Sequence, residues 1–270
     1  GVQTCALPIS NAALDENMVR HMILNTIRSL NVKFRDEYGE LVIACDGPNC
    51  WRKSAFPYYK ANRKKSQEKS ELNWSSIFEC MNKIRNELKE FFPYRVIHLE
   101  GCEADDVIAT LVNEFHTTDS IMILSGDKDF NQLHYDGVQQ YDPTRKKTIA
   151  CTDPSKYLEE HILRGDKSDG VPNVLSDSDT FILGKRQKTL TQKKIDELTG
   201  LGLFGKFDHQ LHANYVRNHM MIDLCNTPDE LKAKILESYH AQTKKNGSKL
   251  MNYFIANRLK NLMEHMGDFT

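Results

Sequence analysis

The chain has 270 residues, enough for one large domain or about two ordinary ones. At 40% hydrophobic and 27% charged residues it has a soluble globular composition, and no apolar run approaches the roughly 18 residues of a membrane span. A net charge of −1 says nothing about nucleic acid; seven scattered cysteines without a CxxC pair argue against a disulfide framework and a zinc knuckle, and predict reduced thiols in the cytoplasm.

In chain order, Met18, Met22, Ile23, Ile27 and Leu30 recur at helical spacing and predict an amphipathic helix over about 14–35. "ELVIACD" follows as a short buried strand ending at Asp46. From Arg52 to Lys69 there are seven basic residues against one acid, Glu68, and Pro57 fits the first turn of a helix. On that helix Tyr59 and Arg63 share a face, with Lys60 and Lys64 beside them. Residues from Trp74 to Phe91 form a second long apolar face. "YRVIHLEG" reads as a strand, and "EADDVIATL" opens an acidic helix at Glu103. "SIMILSGDKDF" is a third strand with Asp127 and Asp129 just beyond it, and "VQQYD" with "KTIACT" predicts a hairpin. Beyond about 151 the pattern turns helical and more basic.

Alternating helix and buried strand imply a mostly parallel twisted sheet with helices on both faces over 11–150, followed by a smaller helical domain over 151–270. Ligands of such sheets bind beyond the carboxyl ends of the strands. Three predicted strands end at acids: Asp46; Glu103, Asp105 and Asp106; Asp127 and Asp129. Crowded carboxylates disfavour one another's ionisation, and divalent cations reverse that penalty. Mg²⁺ takes hard oxygen ligands, and two ions about 3.5–4 Å apart activate water and stabilise a departing phosphodiester oxygen.

Each group alone has a plainer reading. "DKD" can be an Asx turn, "EADD" a helix cap, and "RGDKSDGVPN", with Asp166 and Asp169 three apart, a turn between helices. Their coincidence at strand ends is what points to metal. The basic run can be a solvated helix, but Phe56, Tyr58 and Tyr59 interleaved with its charges favour nucleic acid. The histidines show no ligand spacing.

"CDGPNCWRKSAFPYYKANRKK", "EADDVIATL", "SGDKDFNQLH" and "ILRGDKSDGVPNV" resemble, in order and spacing, the flap endonuclease superfamily of 5′ nucleases, and most of all its T-even phage ribonuclease H branch, from about residue 17 onward. The resemblance implies a PIN-like α/β nuclease domain with a helical DNA-binding domain. It implies a two-Mg²⁺ site, in which Mn²⁺ substitutes, made by Asp46, Glu103, Asp105, Asp127, Asp129 and Asp169 with Asp106 and Asp166 in support. Lys60 and Arg63 match the basic residues of a helical arch that grips the scissile phosphate; Arg52, Tyr59, Lys64, Lys167 and Gly170 join them on nucleic acid. Asp46 and Asp105 head the catalytic set with Lys60 and Arg63. The implied activity is 5′-to-3′ hydrolysis of DNA and RNA–DNA duplex ends or flaps, with primer removal in phage replication. The implied protein is a monomer in the host cytoplasm, with no membrane attachment, working beside a single-strand DNA-binding protein and a sliding clamp.

Two departures stand out. "LSDSDTFILGKRQKT" occupies the place of a second glycine-rich turn in cellular members. "GVQTCALPIS", residues 1–10, resembles translated sequencing adapter where the superfamily has a strand carrying an Asp. That strand is therefore expected to be missing, and catalysis by this chain to be weak. Two other readings compete: a non-catalytic nucleic-acid-binding remnant, and a DxD phosphatase or nucleotidyl transferase.

Overall fold

A computed structural model describes residues 15–68, 70, 72–200, 208–242 and 247–270. The adapter-like residues 1–10 lie outside this set, as does the side chain of Lys64.

The first helix, α1 (Glu16–Tyr38), starts where the Asp15 carboxylate accepts from the amides of Asn17 and Met18 and ends at Gly39, whose φ of 74° an L side chain rarely adopts. Strand β1 (Val42–Cys45) then leads through α2 (Trp51–Ala55) and α3 (Ala61–Glu68) to α4 (Trp74–Phe91) and β2 (Arg95–His98). Helix α5 (Ala104–Phe115), β3 (Ile121–Leu124), a 3₁₀ turn (Lys128–Leu133) and the hairpin β4 (Val138–Asp142) and β5 (Lys147–Ile149) complete the α/β part. Helices α6 (Pro154–Arg164), α7 (Gln192–Gly200), α8 (His209–Ile222), α9 (Asp229–Ala241), α10 (Leu250–Ala256) and α11 (Lys260–Met263) follow.

Strands β1 and β2 pair in parallel from Val42↔Arg95 to Cys45↔His98, and β3 and β4 from Ile121↔Val138 to Leu124↔Tyr141; β5 runs antiparallel to β4. The parallel pairing expected from sequence is present, but as two separate sheets among the described residues. Between them runs a groove of about 770 Å³, bounded by Val42 and Ala44 on β1, Ile121 to Leu124 on β3, and Ile108, Leu111 and Phe115 on α5. The facing edges of β1 and β3 have no strand partner among the described residues.

The C-terminal helices are not a body apart. Tyr253 and Phe254 of α10, Leu262 of α11 and Phe269 join Val19, Ile43, Ile84, Phe92 and Val96 in the main core, and Ile235 of α9 packs with Ala44, Ile97 and Val107. Truncating a core side chain such as Ile97, fully buried, should cost about 2–5 kcal/mol. A division at residue 150 therefore describes the chain order better than the packing. Amphipathic periodicity marks an apolar face without saying which core it joins.

The basic segment departs from the expected helix. Residues 57–60 form a turn closed by Lys60 at φ 55°, and helix resumes only at Ala61. A left-handed residue ends any helix running through Pro57, so Tyr59, Lys60 and Arg63 do not share a helical face.

Candidate active site

Helix α5 begins where β1, β2 and the basic segment converge. Glu103 and Asp106 form a reciprocal capping box, with the Glu103 amide donating to Asp106 Oδ2 at 2.8 Å. The amide of Ala104, next in line, donates to Asp46 Oδ1 at 2.8 Å, which ties the end of β1 to the mouth of the helix. Free amides and the helix dipole explain part of this acid density.

Asp106 is fully buried, and both its oxygens are taken. Besides the cap, Oδ1 accepts from Thr227 Oγ1 at 2.8 Å and Trp51 Nε1 at 3.3 Å and pairs with Arg52 at 2.8 Å. It organises the helix start instead of offering an open ligand. Arg52 is equally buried, 1% exposed, and also reaches Glu103 at 3.1 Å and the Met221 carbonyl at 3.2 Å. The expected phosphate contact by Arg52 is not available, because its guanidinium sits inside the protein as counter-charge to two acids.

Tyr59 calls for a similar correction. At 4% exposure it has no face free for a base; its hydroxyl bridges Glu103 and Asp169, 2.9 Å from each. Lys60 Nζ lies 2.6 Å from Glu103 Oε1 and 3.7 Å from Asp169 Oδ2, and Arg63 pairs with Asp169 Oδ1 at 2.8 Å. Burial works against the charge of Glu103, but Lys60 and Arg52 outweigh it and hold its carboxyl down at about 2. For Lys60 burial is likewise overcome, and Asp169 and Glu103 raise its ammonium above the usual range.

Asp105 and Asp129 show the opposite behaviour. Burial pushes Asp105 up to about 7 against the pull of Lys60, and the charges of Asp127 and Glu103 add to the rise. Burial also lifts Asp129 to about 6 despite His161, with Asp127 and Asp166 contributing. Asp127 caps the 3₁₀ turn by accepting from the Asp129 amide at 3.0 Å. The Asp127 charge thus acts on both Asp105, after β2, and Asp129, after β3.

The loop after α6 brings the last acids. Asp166 is 4% exposed; Oδ1 accepts from the amides of Ser168 and Asp169 and from the Ser168 hydroxyl, and Oδ2 accepts from Lys128 at 2.7 Å. Burial opposes its ionisation, yet these bonds and His161 pull its carboxyl far below the usual range. Gly170, at φ 76°, lets the loop touch the basic segment: a Cβ there would sit 2.9 Å from the Tyr58 carbonyl. That contact is structural and leaves no exposed amide role for Gly170, which is buried. Lys167 is exposed beside it.

Sequence reasoning missed what holds this loop. Asn214, Arg217 and Asn218, three and four apart on α8, donate to the carbonyls of Val174, Pro172 and Ile162. The signal was present as polar residues on a buried helix stripe. It missed His161 as well, 6% exposed and facing both Asp129 and Asp166.

An acid-lined site at strand ends, with lysine and arginine bonded across it, is an arrangement able to hold divalent cations against a phosphate-bearing substrate. The comparisons narrow that reading. Residues 8–162 match the family described as "5'-3' exonuclease, N-terminal resolvase-like domain", and residues 156–269 match "T4 RNase H, C terminal". Ribonuclease H of Enterobacteria phage T4 is 33% identical over 94% of this chain and 87% of that protein. Flap endonuclease Xni of Shewanella sp. strain MR-4 is 28% identical over 50% of this chain and 52% of its own length. The fold resembles the D15 flap endonuclease of bacteriophage T5, crystallised with DNA and metal ions, at a TM-score of 0.59 and 18% identity, covering 81% of this chain and 90% of that one. A T5 5'-exonuclease structure with bound zinc gives the same TM-score and identity, over 81% and 89%. The chain belongs to the 5′–3′ exonuclease family, a family of hydrolytic nucleases. The phosphatase and nucleotidyl transferase readings lose their footing.

Proposed function

We propose that the protein is a metal-dependent 5′ nuclease that hydrolyses phosphodiesters at the 5′ ends or flaps of DNA and RNA–DNA duplexes, with two Mg²⁺ ions as cofactors. The observation that carries this reading is that the Asp127 carboxylate lies close enough to act on both Asp105 and Asp129, beside the Lys60–Glu103 and Arg63–Asp169 pairs. The residues fit hard cations. The donors are carboxylate oxygens, Asp129 Oδ1 is buried without a hydrogen-bond partner, and two carboxyls carry a raised affinity for positive charge.

Asp46, Asp105, Asp127 and Asp129 would hold the ions, which supply activation of water and stabilisation of the leaving oxygen. Glu103 and Asp169 orient the cationic side chains. Lys60 and Arg63, already positioned over the cluster, exchange carboxylate for phosphate oxygen and neutralise charge that builds on it. Magnesium-dependent shortening of a 5′-labelled flap or RNA–DNA duplex, abolished by a chelator and restored by Mn²⁺, tests the proposal. Persistence of cleavage in chelator would sink it.

The open edges of β1 and β3 support a further part of the proposal, that an apolar strand ending in a carboxylate pairs between them and completes the metal site. A monomer acting in the host cytoplasm beside a single-strand DNA-binding protein and a sliding clamp fits primer removal in phage replication. No described helix is long and apolar enough to cross a membrane.

A further inference from the structure

Three residues join α4 to β2, so the helix runs antiparallel to the strand, and Arg85 marks where the two stand level. Its Nη1 donates to His98 Nε2 at 2.9 Å, at the last residue of β2. The stretch from Trp74 to Arg85 therefore reaches past the carboxyl end of the sheet by about 16 Å, at about 1.5 Å per residue. His98 pairs in register with Cys45, and the residue after Cys45 is Asp46. The chain thus leaves the acidic cluster at Lys60, bonded to Glu103, and returns to it at Arg85.

At about 100° per residue, Trp74, Phe78, Asn82 and Arg85 fall within roughly 80° of one another around α4. They form an outer stripe beside the core-facing residues Ile77, Ile84 and Leu88. Phe78 is 52% exposed and packs on Trp74 with ring centroids 6.0 Å apart. Asn82 and Asn86 hold the Arg85 guanidinium through their side-chain oxygens, 2.8 Å from Nη1 and 3.2 Å from Nη2. Its partners are thus two amides and an imidazole nitrogen; among the described residues it has no carboxylate partner, and its Nε donates to nothing. Nearby acids of α4 lie off the stripe: Glu87 pairs with Arg20, and Glu79 accepts from Ser75. An arginine fixed by neutral groups keeps its charge and its Nε edge for an anion.

We propose that this stripe of α4 is a track for the unpaired 5′ strand of the substrate, with bases stacking on Phe78, backed by Trp74, and a phosphate held by Arg85 at the strand end that leads to Asp46. Aromatic rings accept any base by stacking, and a guanidinium takes phosphate oxygens two at a time. The occupant follows from that chemistry. An exposed ring followed on the same helix face by an uncompensated cation matches a nucleobase and its phosphate, and only an unpaired strand offers bases free to stack. The identity of the substrate rests on the nuclease reading; the single-strand track rests on the stripe itself.

The test follows binding of fluorescein-labelled oligothymidylate to the full chain in chelator, where no metal-dependent cleavage intervenes, for the native protein, Phe78→Ala and Arg85→Gln. Phe78→Ala is expected to weaken binding at least about fivefold. Arg85→Gln is expected to flatten the slope of log affinity against log salt by about 0.7, the contribution of one phosphate contact on a single strand, and Arg85→Lys to restore it. In magnesium, Phe78→Ala and Arg85→Gln are expected to raise KM for a long 5′ flap more than for a flush duplex end. A further measurement needs no variant: ultraviolet crosslinking of an iododeoxyuridine-bearing oligonucleotide to the native protein is expected at Trp74 or Phe78. Unchanged affinity and salt slope in the folded variants, or crosslinks confined to other helices, overturn the proposal. Oligothymidylate held at this stripe by a protein that cleaves no substrate in magnesium leaves the track standing and counts against the nuclease reading alone.

Discussion

Lys60 donates from Nζ to Glu103 at 2.6 Å, while its own backbone amide donates to the Asp169 carbonyl at 2.8 Å. One residue thus fastens the basic segment to both the α5 acids and the loop after α6. Its left-handed φ of 55° aims the side chain inward. Lys60→Ala should lower the rate of flap cleavage by about 10²–10³ while leaving binding to the duplex little changed, because the lost charge acts on the reacting phosphate. Single-turnover cleavage beside a binding titration measures both.

Asp106 and Asp105 are neighbours with opposite expected behaviour. Asp106→Ala leaves the buried Arg52 without its closest counter-charge and should destabilise the fold by about 3–5 kcal/mol in denaturant titration. Asp105→Asn removes a carboxyl that burial already disfavours, so metal-free stability should hold or rise while magnesium-dependent cleavage is lost.

The raised carboxyls set a pH dependence. Between the ordinary value of 3.8 and about 7, folded Asp105 binds more protons than the unfolded chain, so its contribution to metal-free stability falls as pH rises through that window. Asp129 behaves alike up to about 6. A divalent ion replaces those protons. The gain in melting temperature on adding Mg²⁺ should therefore be larger at pH 8 than at pH 6, and calorimetry at pH 6 should show protons released on binding. Glu103 runs the other way: its stabilisation is present above the ordinary 4.5 and disappears only as pH falls through about 2.

Gly170→Ala places a Cβ 2.9 Å from the Tyr58 carbonyl on a backbone at φ 76°. The strain should cost about 1–3 kcal/mol and loosen the basic segment from the loop. Thermal melts give the first quantity, and faster amide exchange at Lys60 the second.

Much of this was legible before any coordinates. Strand ends fall where apolar runs meet acids: Asp46 accepts from the Ala104 amide beside Asp105, and the Asp127 charge reaches Asp105 and Asp129. Among the described residues, the acids whose donor atoms come within 4.8 Å as a group of three are Asp129 and Asp166, with His161. Two features were not legible. The family resemblance placed Tyr59 and Arg52 on nucleic acid, whereas both are buried as partners of Glu103. Pairing between distant polar groups leaves no local pattern. His161 escaped for the same reason: its partners lie five residues ahead and thirty-two behind, with no ligand spacing to flag it.

The groove between β1 and β3 gives a further test. Extending the N-terminus with an apolar strand that ends in Asp should slow amide exchange along Val42–Cys45 and Ile121–Leu124 and raise magnesium-dependent cleavage. Equal activity with and without the extension would contradict the incomplete-sheet account.

The central claim is that carboxylates from separate segments share divalent ions. Anomalous scattering from crystals soaked in Mn²⁺ measures this directly. Manganese peaks coordinated by Asp105 and Asp127, with Asp46 and Asp129 within reach, are the predicted result; peaks only at surface acids, with the strand-end carboxylates bare, would contradict it.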